Sequence, residues 1–213
     1  MSQKECTVPT ADLLIAPYLH PWGSDIFVQV AALNSKGISL YSADGGGAII
    51  LTAPDAPHNL VSDPAVSNAS EIKITWEQGA NGGAAISMYR VHYDQGSGTG
   101  QFVVLATGIT ELTYTATGLT AGKTYKFKVQ SRNSFSYSAY SDEVAVLAAQ
   151  TPVKPAAPTT SAVGDNVVIS WTAPFANGSP ILSYTVYIET VTAGVFAIDS
   201  ANCDGAIAQI RDA

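Results

Sequence analysis

Three stretches of the chain alternate strictly between apolar and polar residues. Ile72, Ile74 and Trp76 interleave with Glu71, Lys73 and Thr75; Tyr89, Val91 and Tyr93 with Arg90 and His92; and Tyr125, Phe127 and Val129 with Lys126 and Lys128. A period of two is that of a strand with one face buried and one wet, which predicts three such strands and points His92 outward. Turn residues separate the runs, at Asn81-Gly82-Gly83, at Gly96 to Gly100 and at Gly122, and no window sustains a helical period. An all-β fold is expected. Proline cannot donate to a ladder and suits a first edge strand. Pro54 and Pro57 therefore open one unit, and Pro152, Pro155 and Pro158 the next.

The pattern repeats, in two pieces. At one constant offset Val30 falls on Val129, Asn34 on Asn133, Ser39 on Ser138 and Ser42 on Ser141. Ile72 to Trp76, Asn81-Gly82 and Tyr89 to Val91 match Val167 to Trp171, Asn177-Gly178 and Tyr184 to Val186, with one residue of slack in the loop. Residues 53–151 thus hold a whole unit, residues 1–52 only the late part of one, and residues 152–213 only an early part.

With 46% hydrophobic residues in 213, there is ample core for two domains. Only 13% of residues are charged and the net charge is −7, which argues against a nucleic-acid surface. No apolar run is long enough to span a membrane. The first residues lack the apolar centre of a signal peptide, so a secreted chain would take its signal from upstream. His20, His58 and His92 have no carboxylate or cysteine at ligand spacing, so no catalytic residue, metal site or cofactor is expected. The scattered Asp residues read as solvated loop positions or as weak calcium ligands at a domain junction. Gly45-Gly46-Gly47 and Gly96 to Gly100 lack the lysine of a phosphate cradle and read as bulges or hairpin tips. Trp76, Tyr89, Tyr125, Trp171 and Tyr184 are candidate core residues, and Trp22, in a Pro-Trp-Gly turn, is a candidate interface aromatic.

The proline-led first strand, Trp76, Tyr89, the Leu119 to Tyr125 segment, Asn133 and Ser141 together resemble the fibronectin type III family, an immunoglobulin-like β-sandwich. The resemblance implies that Tyr125 is a corner tyrosine whose hydroxyl ties back to backbone; residues 1–52 carry Ile26 in its place. More narrowly, the chain resembles tandem fibronectin type III arrays in giant extracellular proteins of single-celled eukaryotes. There one kind of sandwich carries Asn-Cys-Asp-Gly followed by Cys-Thr-Val-Pro. Here Asn202-Cys203-Asp204-Gly205 stands near the end and Cys6-Thr7-Val8-Pro9 near the start, so the phase is shifted.

That resemblance implies one complete sandwich and one split between consecutive copies. Residues 152–213 would be completed by residues 1–52 of the next copy, with Ile26, Val28, Val30, Ile49 and Leu51 on the interface strands. The expected function is a structural, extracellular, head-to-tail filament, either of interlocked subunits or of one giant chain of covalent repeats. The alternative is a cell-surface adhesion or ligand-binding module that does not polymerise; an accessory module of a larger enzyme is a third reading. Cys6 and Cys203 are either inert thiols or, joined across copies, a bridge closing a loop of about 16 residues, worth about 3 kcal/mol in the chain-entropy model. Asn68-Ala69-Ser70 and Asn177-Gly178-Ser179 are glycosylation triplets, the second of which also reads as a plain turn.

Overall fold

Short strands joined by glycine- and proline-rich turns run through the described residues, 4–199 and 201–203, of the computed structural model. Asp204 and Gly205 of the Asn-Cys-Asp-Gly stretch lie outside them. The first piece holds one helical turn, α1 (Thr10–Leu13), and strands β1 (Asp25–Val28), β2 (Leu33–Asn34), β3 (Gly37–Ile38) and β4 (Gly45–Ile49). Antiparallel ladders join β1 to β4 and β2 to β3.

The central segment folds into β5 (His58–Ser62), β6 (Ile72–Glu77), β7 (Met88–Tyr93), β8 (Val103–Ile109), β9 (Thr113–Ala116), β10 (Thr124–Arg132) and β11 (Val144–Leu147). These make a three-stranded sheet in the order β5-β6-β9 and a four-stranded sheet in the order β11-β10-β7-β8. The inward positions are those of the alternation: Ile72, Ile74 and Trp76 on β6, Tyr89 and Val91 on β7, and Tyr125, Phe127 and Val129 on β10 are all buried. Each such side chain contributes about 1.5–3 kcal/mol by leaving water. Trp76 meets Tyr89 edge-on across the two sheets, with ring centroids 5.5 Å apart. β5 starts directly after buried Pro57, where a missing N–H costs no ladder bond.

The last segment forms β12 (Thr159–Val163), β13 (Asn166–Ser170), β14 (Tyr187–Glu189) and β15 (Phe196–Ile198), paired as β12-β13 and β14-β15. By packing, the chain gathers into two compact units. One takes Lys73–Ala116 and Tyr125–Val146 with the chain before Pro64; the other takes Pro64–Ile72, Thr117–Thr124 and the chain from Leu147 on. These limits differ from the repeat boundaries read from the sequence. Loop 117–124 groups with the chain from Leu147 on because Gly122 N–H donates to Ala148 O and Ala148 N–H donates to Lys123 O, both at 2.9 Å.

One sequence expectation changes. His92 does not point into water: it is buried, its Nε2 lies 3.1 Å from Gln130 Oε1, and its ring meets Tyr140 edge-on. Two long neighbours on the outer face cover it, which alternation alone cannot register. Gly45 to Gly47 form most of β4 and hold the irregularity where its register with β1 shifts, the bulge of the two readings of that run. Ile49 ends β4 exposed, Ile50 just after it is buried, and Leu51 is half-buried.

Candidate functional site

Identical backbone geometry recurs at matched positions of the first piece and the central sandwich. Ser141 Oγ accepts from Val129 N–H and Ser138 Oγ from Ser131 N–H, each at 3.0 Å. Ser42 Oγ accepts from Val30 N–H at 3.0 Å and Ser39 Oγ from Ala32 N–H at 2.8 Å. The loop asparagines match too: Asn133 Oδ1 accepts from Phe135 N–H at 2.9 Å, and Asn34 Oδ1 from Lys36 N–H at 2.8 Å. In the central sandwich the serines hold the edge of β10 that faces away from β7, and in the first piece they hold the chain just after β1.

The surroundings differ. Phe127 and Val129 are 0% exposed, whereas Val28 and Val30, at the same positions of the repeat, are 56% and 69% exposed. Ile26, matching buried Tyr125, is only half-buried. Ile50 is the inward residue after β4 and is buried, like its counterpart Ala148. Ile49 pairs with Asp25, and its counterpart Leu147 is 43% exposed even in the complete sandwich. Ile49 and Leu51 therefore alternate with the enclosed Ile50.

The last segment shows the complementary half. Trp171 and Tyr184 repeat the Trp76–Tyr89 contact, at 5.4 Å and the same 63° between ring planes. Over them lies an open apolar cleft of ≈ 400 Å³, lined by Ile169, Trp171, Tyr184, Val186 and Ile188 with Pro155 and Pro158. At the matching place in the central sandwich, β10 fills the space. β7 pairs with both β8 and β10, but β14 pairs with β15 alone, leaving one edge of its ladder without a strand among the described residues.

A second geometry also occurs twice, once in each compact unit. Gly23 N–H donates to Ile50 O at 2.7 Å, and Thr52 N–H donates to Gly82 O at 2.9 Å. Further along, Gly122 N–H donates to Ala148 O at 2.9 Å, and Gln150 N–H donates to Asn177 O at 3.1 Å. In both places backbone lies so close that only glycine fits. A Cβ on Gly83 would sit 2.9 Å from Ile50 O, and one on Gly178 2.6 Å from Ala148 O; their φ angles are +90° and +89°. Each segment between repeats is thus hydrogen-bonded to a loop of the repeat after it.

Of the other candidates, Asn177 has φ +52° and is buried, with its amide donating to Thr151 O at 2.7 Å. A sugar on that nitrogen would displace this bond. Asn68 is half-buried, its Oδ1 accepting from Ser70 N–H at 2.8 Å and Glu71 N–H at 3.0 Å. Cys6 is exposed and Cys203 half-buried, both as free thiols. Trp22 is 42% exposed, one residue before the Gly23 contact. The Tyr125 ring stacks on Tyr93 at 6.5 Å.

Electrostatics is modest. Burial pushes the His92 pKa below the usual imidazole value, with the Arg90 charge adding to the effect and the Gln130 contact opposing it. Hydrogen bonding and charge from Lys126, together with the charge of Lys128, hold the Glu143 carboxyl below its ordinary value. Among the described residues, no three His, Cys, Asp or Glu side chains come together as a metal site, and no helix is long and apolar enough to cross a membrane.

Two facing antiparallel sheets around a Trp–Tyr contact define an immunoglobulin-like sandwich. Residues 55–146 match the family model of the fibronectin type III domain, and the central sandwich is such a domain. A Kelch domain-containing protein of Saccharolobus solfataricus is 38% identical over 77 residues, covering 36% of this chain and 11% of that protein. The human protein named cell adhesion molecule-related/down-regulated by oncogenes is 32% identical over 115 residues, covering 52% of this chain and 8% of its own length. The chain thus spans about a tenth of these relatives. A crystal structure of titin domains aligns with TM-score 0.46 and 21% identity, covering 58% of this chain and 41% of that one.

Proposed function

We propose that this chain is a structural unit of an extracellular head-to-tail filament, in which the cleft after Pro155 is closed by residues 1–52 of another copy. One observation carries the reading: positions buried in the complete sandwich are exposed in the first piece, at Val28 and Val30, and only half-buried in the last, at Trp171 and Tyr184, as the two halves of one core would be before they meet. Val28 and Val30 lack the sheet that covers Phe127 and Val129, while Trp171 and Tyr184 lack the strand that covers Trp76 and Tyr89. An open strand edge beside an apolar cleft is a template for strand addition. A contact between different surfaces that does not close on itself yields a filament. The function is then mechanical span, with no catalysis, metal or cofactor. A Cys6–Cys203 bridge between consecutive copies would fasten each joint, and Asn68 is the position left for a glycan.

The chain purified without reductant tests this by sedimentation, negative-stain microscopy and a non-reducing gel. Expected are fibres with a repeat of two sandwiches and a ladder of multimers that collapses on reduction. A Val30→Lys variant should stay monomeric with its central sandwich intact. A second reading, an adhesion or ligand-binding module, draws on the relative named as cell adhesion molecule-related. Monodisperse monomer at every concentration tested would favour it and remove the filament.

A further inference from the structure

Resting on that reading, we infer the register of the joint and the side chain that locks it: Val30 of one copy lies opposite Val186 of its neighbour, and the Asn34 amide donates to the neighbour's Gln150 and Ala176 carbonyls. The central sandwich supplies the template. There β10 runs antiparallel to β7 with Phe127 opposite Tyr93, Lys128 opposite His92, Val129 opposite Val91 and Ser131 opposite Tyr89. Carried through the two repeats, Val28 falls opposite Ile188, Gln29 opposite Tyr187, Val30 opposite Val186 and Ala32 opposite Tyr184. This register puts Ile26, Val28 and Val30 into the cleft beside Trp171 and Tyr184. Gln29 and Tyr187, both exposed, fall on the outer face. A slip of one residue would turn Phe27 and Gln29 inward and expose the valines, so the apolar pattern excludes it. A slip of two keeps the pattern and must be excluded by something else.

The loop asparagine supplies that. Asn133 is 1% exposed, and its Nδ2 donates to Thr52 O and Asn81 O, both at 2.8 Å, tying its loop to the start of its own domain. Asn34 keeps the loop half of this arrangement, with Oδ1 holding Lys36 N–H, yet it is exposed. The counterpart acceptors are identified by their own bonds, which run through the loop without the residue of slack read from the sequence and so match Asn81 to Ala176 rather than to Asn177. Thr52 donates to Gly82 as Gln150 donates to Asn177, and Asn81 O receives Ala84 N–H as Ala176 O receives Ser179 N–H. Those two carbonyls lie across the joint from Asn34 only in the register stated. A two-residue slip moves the amide by roughly 7 Å along the strand and out of reach.

The test uses the full chain with Cys6 and Cys203 replaced by serine and cysteine pairs introduced across the joint. Strand partners directly opposite have Cα atoms about 5.5 Å apart, within disulfide range. Gln29→Cys with Tyr187→Cys should cross-link copies under mild oxidation, and Gln29→Cys with Thr185→Cys should not. Asn34→Asp keeps the acceptor for Lys36 N–H and removes the donor. It should raise the concentration needed for assembly by about tenfold or more, while the circular dichroism of the unassembled chain stays unchanged. Fibres that cross-link through the 29 and 185 pair, or through neither, overturn the register and leave the filament standing. Unchanged assembly by Asn34→Asp overturns the lock. No fibres from any variant, parent included, removes the filament reading and this inference with it.

Discussion

Gly83→Ala tests whether consecutive repeats are held by backbone contact or merely tethered. Gly83 sits at φ +90°, and its Cβ would lie 2.9 Å from both Ile50 O and Gly23 Cα, with Gly23 N closer still. The left-handed conformation alone costs an L-residue about 1–2 kcal/mol. Relieving the collision requires the Gly23 N–H bond to Ile50 O to open, at about 1 kcal/mol more. Together that is about 2–3 kcal/mol, so amide hydrogen exchange at Gly23, Ser24 and Thr52, read by mass spectrometry, should rise by about thirtyfold or more. Two controls separate the causes. Gly98→Ala, at φ +66° with nothing within 4 Å, bears the conformational cost without the collision. The equivalent contact of Gly122 with Gly178 lies in the other compact unit, and its exchange should not change. Were Gly83→Ala to leave exchange at Ser24 and Thr52 where Gly98→Ala leaves it, the close approach would not be what holds the segments together.

Burial sets two further outcomes. Phe127→Ala should destabilise the central sandwich by about 3–5 kcal/mol in urea denaturation followed by circular dichroism, because the side chain is wholly enclosed; Val28→Ala, at the matching position, should shift that transition by less than about 0.5 kcal/mol. Because burial lowers the folded-state pKa of His92, both states are neutral well above pH 6.5, and the unfolded chain takes up the proton first as pH falls. Stability should therefore drop below about pH 6.5 and level off once the folded form also protonates. His92→Gln should flatten that part of the curve, and a slope unchanged by the substitution would assign it to another group.

Alternation, turn residues and the internal repeat were enough to read an all-β fold with Trp76 and Tyr89 in its core, and the family resemblance added the sandwich. These features are local or periodic: a strand exposes its faces in turn whatever lies beyond it, and a serine or asparagine that bonds nearby backbone carries its geometry wherever the motif recurs. Asn34 was legible in the same way, as the counterpart of Asn133, but its amide had no meaning until Asn133 was seen reaching Thr52 and Asn81.

Tertiary structure decided what depends on neighbours distant in sequence. It buried His92 under Gln130 and Tyr140, turned Asn177 inward onto Thr151, and enclosed Ile50 just after β4. It alone brought Gly83 against Gly23 and Gly178 against Gly122. The reason is the same in each case. Pattern along a strand fixes which faces are apolar, but what covers a face, and how closely, is set by chain that folds back from dozens of residues away.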